Sequence, residues 1–286
     1  IDKVMLPQLK QIVTNYEPAL LFSDGDWWMD YKKWRTLPFL SWALNNAPNK
    51  EELVFNDRWG KVRGKHGGYY TTEYGSGFAD GTTPWEENRG IGMSFGINRI
   101  ENIDDYRTGK ELIFMLVDIV SRGGNLLLNI GPNADGTIPV IMQQRLIEIG
   151  NWLSVYGEGI YDTKQWTKDA QWSSGIIPSF TKNDFHAGFP IYEMTINPKM
   201  GNAVKEFWFT KKQNNLYVFA PEWPKNINIL IKDVKTTIKT EVKLMGCEKS
   251  LPYTETTTGI VVDISSITIH DLKSHYVFGF KVSNIK

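Results

Sequence analysis

Apolar residues in the first 160 positions follow two patterns in alternation. Helical spacing recurs over residues 1–16, 37–44, 108–122 and 139–156. Between these stretches stand short continuous apolar runs, at 19–22, 53–55 and 126–128, and the stretch 91–95 also has the character of a strand. Buried strands that alternate with amphipathic helices are typical of parallel β/α units. The pattern therefore predicts an α/β fold for this part of the chain.

The number of predicted strands is too small for a closed barrel. The pattern supplies four or five strands, whereas a (β/α)8 barrel takes eight strands and about 250 residues. We therefore predict that residues 1–162 form only the C-terminal part of a (β/α)8-like barrel. The first pattern is a helix without a preceding strand, so we also expect a segment ahead of Ile1. Near Leu20 we expect either an open barrel with an unpaired strand or additional polypeptide beside that strand.

The pattern changes after about residue 163, where short alternating runs replace the helical spacing. These runs are 206–209, 216–219, 227–231, 242–245, 260–264 and 276–280. Turn signals such as residues 213–215 separate them. Residues 163–286 are therefore predicted to form an antiparallel β-sandwich domain.

Composition excludes several classes of function. The 286 residues carry 32 basic and 32 acidic side chains, so no charge excess favours nucleic acid or a membrane surface. Cys247 is the only cysteine, and the four histidines show no metal-ligand spacing, so we expect no metal site built from them. Eleven tryptophans fit either a large core or a site for flat, weakly polar ligands such as sugars.

Candidate chemistry stands where apolar runs end. Asp24 follows the run 19–22, and a carboxylate at a buried strand end needs a partner or a chemical role, unless it simply caps a turn. Arg58 follows the run 53–55 and is suited to binding a carboxylate or vicinal hydroxyls, or to an ion pair that fixes the loop. Trp59 either stacks on a ligand or fills the barrel rim.

The glycine-rich segment 60–90 is predicted to be a long irregular loop, either functional or disordered. Glu73 within it is a candidate proton donor, with Glu86 and Glu87 as rivals, although each fits a solvated loop acid as well. Two carboxyl groups from different strand ends, with aromatic residues between them, are what glycoside hydrolysis requires.

Five motifs in unbroken order make a family resemblance specific. They are LFSDGDW at 21–27, NDRWG at 56–60, HGGYY at 66–70, WEENRGIGMSFG at 85–96 and GGNLLLNIGP at 123–132. With them, residues 1–165 resemble the α-L-fucosidases of glycoside hydrolase family 29. The remainder resembles that family's less distinctive C-terminal β-sandwich.

The resemblance implies a retaining exo-hydrolase that removes terminal α-L-fucose without a cofactor. It assigns the nucleophile to Asp24 rather than to the nearby Asp26. It also implies that Arg58 contacts the substrate, that Phe22 takes a position often held by Trp, and that Phe95 lies near the fucose methyl group. Trp59, in the motif of Arg58, is a further candidate substrate contact.

The acid/base is the variable element of the family. In some bacterial members it is the Glu of a Thr-x-Glu-Tyr string, which matches Glu73; in others a Glu after Trp has been proposed, which matches Glu86. We expect Glu73. The His-His pair of the family's fucose pocket is absent from these 286 residues, which agrees with a missing N-terminal barrel segment.

The expected partner is a fucosylated oligosaccharide or glycoconjugate, and not nucleic acid or a membrane. The alternative is a glycan-binding or inactive fragment that lacks the N-terminal half of the barrel. Family habit favours a secreted or periplasmic bacterial protein, and the oligomeric state stays open.

Overall fold

The computed structural model describes residues 1–61, 68–75, 83–178 and 198–286. Contacts divide the chain into two compact units, of which the first is Ile1–Thr72 with Thr83–Glu86 and the second is Glu73–Thr82 with Glu87–Lys286. These packing units differ from the predicted domains 1–162 and 163–286, whose boundary stays a prediction. His66 and much of the predicted glycine-rich loop lie outside the described residues.

The first unit is built from two helix–strand pairs. They are α1 (Met5–Tyr16), β1 (Leu20–Leu21), α2 (Thr36–Asn46) and β2 (Val54–Phe55). The two strands pair in parallel, and the helices pack their apolar sides against them around Val13, Phe39 and Phe55. This core fixes the strand ends from which Asp24 and Arg58 follow.

Three more strands form a second sheet. They are β3 (Tyr70–Glu73), β4 (Trp85–Gly90) and β5 (Gly124–Asn129), in the order β3-β4-β5. A parallel bridge between Asn56 and Tyr69 connects β2 to β3. The backbone bonds from Tyr70 to Pro84 and from Tyr74 to Asn88 advance in the same direction, so β3 and β4 are parallel. Within the described ranges, β1 pairs only with β2 and β5 only with β4.

Three sequence predictions for this sheet were wrong in detail. The predicted strand 91–95 is a series of bends, since Met93 N–H donates to the Glu101 carboxylate at 3.1 Å instead of to a neighbouring strand. The predicted loop 60–90 contains both β3 and β4, so Glu73 and Glu86 lie on strands. Polar side chains on β4 hide this strand from a search for apolar runs. The run 126–128 is not fully buried either, because Leu127 is 46% exposed.

Helices α3 (Gly109–Ser121) and α4 (Val140–Tyr156) belong to the second unit and confirm two predicted helices. A capping box begins α3: Thr108 Oγ1 accepts from the Glu111 N–H at 3.2 Å, and the Glu111 carboxylate accepts from the Thr108 N–H at 2.7 Å. Gly123, at φ 80°, follows the end of α3 and turns the chain into β5.

The rest of the second unit is an antiparallel sandwich. Its strands are β6 (Lys164–Trp172), β7 (Lys205–Lys212), β8 (Asn215–Ala220), β9 (Asn228–Lys232), β10 (Glu241–Leu244), β11 (Tyr253–Thr256), β12 (Gly259–Asp263) and β13 (Phe278–Ser283). One sheet has the order β10-β13-β8-β7-β6 and the other β11-β12-β9. Side chains of both sheets share one apolar core, as in a sandwich. All six predicted runs overlap strands, while β6 and β11 were missed.

Candidate active site

Asp24 lies just beyond the carboxyl end of β1, where the buried side chain of Asn56 fixes the backbone. Asn56 Nδ2 donates to the Ser23 carbonyl oxygen at 2.7 Å, and its Oδ1 accepts from the Ser23 N–H at 3.1 Å. These bonds continue the β1–β2 pairing past the strands. Gly25, at φ 84°, then turns the chain away. Sequence reasoning gave Asn56 no role, although its place directly after β2 was an available signal.

Arg58 connects Asp24 to β3. Its Nη1 donates to Asp24 Oδ1 at 3.0 Å, and its Nε donates to Thr71 Oγ1 at 2.8 Å. Thr71 in turn donates to Asp57 Oδ1 at 2.7 Å. The guanidinium carbon lies 5.0 Å from the ring centroid of Phe22, within cation–π range. The arginine is thus held on several sides before any substrate arrives.

The two partners of this ion pair differ strongly in exposure. The Arg58 side chain is 1% exposed and that of Asp24 is 57% exposed. Within the described part of the chain, Oδ1 of Asp24 accepts the bond from Arg58 and Oδ2 accepts none. One carboxylate oxygen is therefore oriented by a buried cation while the other is available to a ligand.

A cavity of about 220 Å³ adjoins Asp24. Its polar lining is Ser23, Asp24, Asp26, Thr36 and Arg58, and Trp34 and apolar side chains of α1 and α2 also line it. Trp59 also lines it but is 7% exposed, stacked on Phe39 at 5.4 Å and in edge contact with Phe55 at 5.7 Å. Of the two interpretations offered for Trp59, the structure places its ring in the core, and a role in substrate binding stays a prediction.

Glu86 lies on β4 in the first unit, half-buried, with Oε1 shielded from solvent. Burial is the largest cause that raises the pKa of the Tyr69 phenol, and the charge of Glu86 is the second. The charge of Arg58 lowers the same pKa. The Glu86 carboxylate is thus an electrostatic neighbour of Tyr69, as is Arg58.

Glu73 is the last residue of β3 and is half-buried. Alternation along the strand places it on the same face as Thr71. Glu87, the third candidate acid, is fully buried, and its Oε1 accepts from Arg89 Nε at 3.1 Å. Burial together with this ion pair favours a structural role for Glu87.

Phe95 lies in the second unit, in the bends that replace the predicted strand. It is 39% exposed and contacts Tyr74 edge to face, with ring centroids 5.0 Å apart. The Tyr74 hydroxyl accepts from the Gly90 N–H at 3.1 Å, and burial raises its pKa. Phe95 therefore presents part of an aromatic surface on a hydrogen-bonded loop.

The described residues divide the candidates between the units. Phe22, Asp24, Arg58, Trp59 and Glu86 belong to the first, and Glu73 and Phe95 to the second. Within the described ranges, no group of three or more His, Cys, Asp or Glu is placed to hold a metal ion. Among the helices described, none is both long and apolar enough to cross a membrane.

Comparison with known families decides what this strand-end arrangement belongs to. Residues 2–158, more than half of the chain, match the family model described as Alpha-L-fucosidase. The chain belongs to the α-L-fucosidase family. Residues 201–283 match the Alpha-L-fucosidase C-terminal domain. The family expected from the five motifs is thereby confirmed.

Relatives in this family extend the match to nearly all of the chain. The α-L-fucosidase of Dictyostelium discoideum is 34% identical over 100% of this chain and 57% of its own length. The plasma α-L-fucosidase of Homo sapiens is 35% identical over 98% of this chain and 55% of its own length. The chain therefore spans about half the length of the curated relatives it matches.

Solved fucosidase structures share the fold. The Thermotoga maritima α-fucosidase in complex with a mechanism-based inhibitor has a TM-score of 0.71 and 28% identity, and the match covers 97% of this chain and 55% of that one. This likeness confirms the predicted combination of an α/β part with an antiparallel β-sandwich.

Proposed function

We propose that this protein acts in a retaining exo-glycosidase that hydrolyses terminal α-L-fucosyl linkages of oligosaccharides or glycoconjugates. The observation that carries the proposal is the state of Asp24: a strand-end carboxylate with Oδ1 held by the buried Arg58 and Oδ2 open. A nucleophile needs one oxygen that is free to attack and a partner that orients it. Family membership favours this function over a binding module without activity.

The chemistry proceeds in two displacements. Asp24 Oδ2 attacks the anomeric carbon while the bond to the leaving oxygen breaks and the acid transfers its proton to that oxygen. Water then attacks the same carbon and gives a proton to the same acid/base residue, and the fucosyl–Asp24 ester bond breaks. Two inversions return fucose with its original anomeric configuration, a mechanism that requires carboxyl groups about 5–5.5 Å apart.

We assign the acid/base role to Glu73. It shares a face of β3 with Thr71, which accepts from Arg58, and it matches the Thr-x-Glu-Tyr string. Glu86 is the alternative, supported by its electrostatic proximity to Tyr69, which Arg58 shares. The acid must start protonated, so its pKa in the complex has to lie above that of the nucleophile. Arg58, Phe22, Trp59 and Phe95 are assigned to substrate binding.

We further propose that β1–β5 are the C-terminal part of a (β/α)8-like barrel whose other strands come from polypeptide outside these 286 residues. Support comes from the parallel pairing of β1 with β2 and of β3 with β4, and from β1 and β5 being paired on one side within the described ranges. We accordingly expect the 286-residue chain alone to release no fucose. Full activity with a closed barrel in this chain alone would contradict the proposal.

We also propose that the protein is secreted, because one of its human relatives is a plasma α-L-fucosidase by name. A bacterial periplasm is the narrower form of this proposal. Fractionation of the source cells, with detection of the protein in medium, periplasmic extract and cytoplasm, tests both. A purely cytoplasmic protein would contradict them.

The experiment that tests the function uses the natural gene product and four 4-nitrophenyl glycosides, the α- and β-anomers of L- and D-fucose. We expect release of nitrophenol from the α-L-fucoside alone. Proton NMR during the first minutes should show α-L-fucose before mutarotation. First appearance of β-L-fucose would contradict retention, and equal rates on all four substrates would contradict the assignment to fucose.

A further inference from the structure

The second unit has a larger cavity that the hydrolytic reaction does not use. It is a groove of about 680 Å³ in the sandwich, bordered by the start of β7, the end of β8 and β9. We call it the Trp223 groove; the lining residues that matter here are Gln171, Phe207, Trp223, Lys225, Asn226 and Asn228. None of them takes part in the site around Asp24.

The two sheets are connected at this groove by Gln171, at the end of β6. Gln171 is 4% exposed. Its Nε2 donates to the Leu230 carbonyl at 2.9 Å, and its Oε1 accepts from the Lys232 N–H at 2.9 Å. Nε2 also donates to Glu206 at 3.1 Å. The side chain of Gln171 is thus fully used in holding β9 to β6, so it shapes the groove rather than binding a ligand.

Trp223 forms a fixed aromatic wall of the groove. Its ring contacts Phe278 edge to face at 5.1 Å and lies 6.2 Å from Phe280, with both phenylalanines in the sandwich core. The tryptophan is half-buried. Within the described part of the chain, its indole N–H donates to no acceptor, and it is not among the shielded polar atoms. A rigid ring with an accessible donor is therefore available at the groove.

The rim beside Trp223 offers hydrogen-bonding groups with little net charge. Asn226 and Asn228 are exposed, and their side-chain amides make no hydrogen bond within the described ranges. Glu222 is neutralised by an ion pair with Lys110. Lys225 and Lys232 also line the groove, together with Glu206 on β7, so the remaining charges of the lining largely balance. Each amide supplies both donors and an acceptor, which suits neutral hydroxyl groups better than an anion.

We propose that the Trp223 groove binds a neutral oligosaccharide at a site separate from the one that cleaves fucose. A pyranose ring has an apolar C–H face that packs on an aromatic ring, and hydroxyl groups that exchange hydrogen bonds with amides and an indole N–H. Binding sites commonly combine such an apolar wall with a few polar groups. The choice of a glycan, among neutral ligands, rests on the proposed function.

The test uses lacto-N-neotetraose, a neutral tetrasaccharide without fucose, and the full 286-residue chain labelled with ¹⁵N at tryptophan. The Trp223→Phe variant, which keeps the ring packing, assigns the Trp223 indole resonance by its disappearance. We expect a saturable shift of that resonance. The Asn226→Ala/Asn228→Ala double variant should weaken the affinity about tenfold, as loss of one or two hydrogen bonds does. Asn151→Ala, at an exposed asparagine of α4, serves as the matched control and should bind normally.

Absence of a saturable shift at millimolar tetrasaccharide would overturn the proposal. So would an affinity that the double asparagine variant leaves unchanged. If Trp223→Phe does not fold, calorimetric titration of the double variant against Asn151→Ala decides the question. Because the probe has no fucose, binding should persist in Asp24→Asn, so failure here and failure of the hydrolytic function are separate results.

Discussion

Asp24 in the first unit and Asp118 in the second each bind an arginine, but the two carboxylates differ in their exposure and in the bonds that they accept. Asp118 is 1% exposed and uses both oxygens: Oδ2 accepts from Arg122 Nε at 2.9 Å, and Oδ1 accepts from Lys205 Nζ at 2.9 Å and Trp208 Nε1 at 3.0 Å. Asp24 is 57% exposed and, among the residues that the structure describes, accepts one bond, from Arg58. We call Asp118 with its three partners the Asp118 cluster.

The difference separates a structural carboxylate from one that is available for chemistry. Burial alone would raise the pKa of Asp118, but Lys205 and Arg122 outweigh it and lower the pKa to about 2. The cluster ties α3 to β7 and has no oxygen left for a ligand. At Asp24 the arginine is buried and the carboxylate is exposed, so a buried cation orients a carboxylate that stays accessible to a ligand.

The largest effect is expected from removing the open carboxylate. Asp24→Asn should lower fucose release by the natural gene product about 10⁴-fold, since it removes the attacking group. The melting temperature should stay within a few degrees, because an exposed side chain contributes little packing. Steady-state hydrolysis of the 4-nitrophenyl α-L-fucoside and thermal unfolding measure the two quantities.

Chemical rescue by azide, carried out with the Asp24→Ala variant, provides the control for the loss of activity in Asp24→Asn. A small anion that replaces the missing nucleophile should restore part of the rate in the Asp24→Ala variant, where space is available, and should yield β-fucosyl azide. Activity above a few per cent of wild type without azide would remove Asp24 from the mechanism.

Removing the buried carboxylate of Asp118 should lower the free energy of unfolding. Asp118→Ala leaves Lys205 and Arg122 buried without their anion, and breaking a buried pair in this way costs about 3–5 kcal/mol in the free energy of unfolding. Urea unfolding followed by tryptophan fluorescence measures it. Asp233→Ala is the matched control: Asp233 pairs with Lys168 at 2.7 Å but is 67% exposed, so its loss should cost less than about 1 kcal/mol. Equal costs for the two variants would contradict the comparison.

Local pattern predicted much of the fold but little of this contrast. The alternation of apolar runs and helices was sufficient for β1, β2, α3 and α4, and strand ends pointed to Asp24. The partners that set the character of each aspartate are far away in the chain: Asn56 lies 33 residues from Ser23, and Lys205 lies 87 from Asp118. Periodicity over a short window contains no information on such pairs.

The errors in the sheet have the same origin. Trp85–Gly90 forms a strand despite its charged side chains, because Glu87 and Arg89 neutralise each other when buried. The stretch 91–95, predicted as a strand, forms bends, because Glu101 accepts from the backbone there. In both places a tertiary contact overrides the local preference. The resemblance to a family supplied the residue roles that periodicity left open.

The next prediction tests the assignment of the acid/base at the Asp24 site to Glu73. Glu73→Gln should lower the hydrolysis of a natural fucosylated glycan by about 10²-fold or more, the usual contribution of a general acid. The loss should be smaller with a 4-nitrophenyl leaving group, which needs little protonation. The alkaline limb of the pH–rate profile should disappear as well.

Glu86→Gln is the matched variant for Glu73→Gln. We expect a loss below tenfold and an intact pH–rate profile, since it would then affect only the surroundings of Tyr69 and Arg58. If Glu86→Gln instead shows the larger loss on the natural glycan and abolishes the alkaline limb, the acid/base is Glu86. The nucleophile assignment is unaffected by that outcome.

The smallest effect concerns the pH dependence of the stability that the Asp118 cluster contributes. Because folding lowers the pKa of Asp118 from its ordinary 3.8 to about 2, this group contributes stability above pH 4 and loses it as the pH falls from about 4 towards 2. The contribution amounts to about 2 kcal/mol. The difference in unfolding free energy between wild type and Asp118→Asn, from urea titrations at pH 5 and near pH 2, should shrink by that amount. Asp271, whose pKa is lowered chiefly by the hydrogen bond from Lys249, titrates in both proteins and cancels from the difference. A difference that is constant with pH, or that grows in acid, would mean that the charge of Asp118 does not stabilise the folded state.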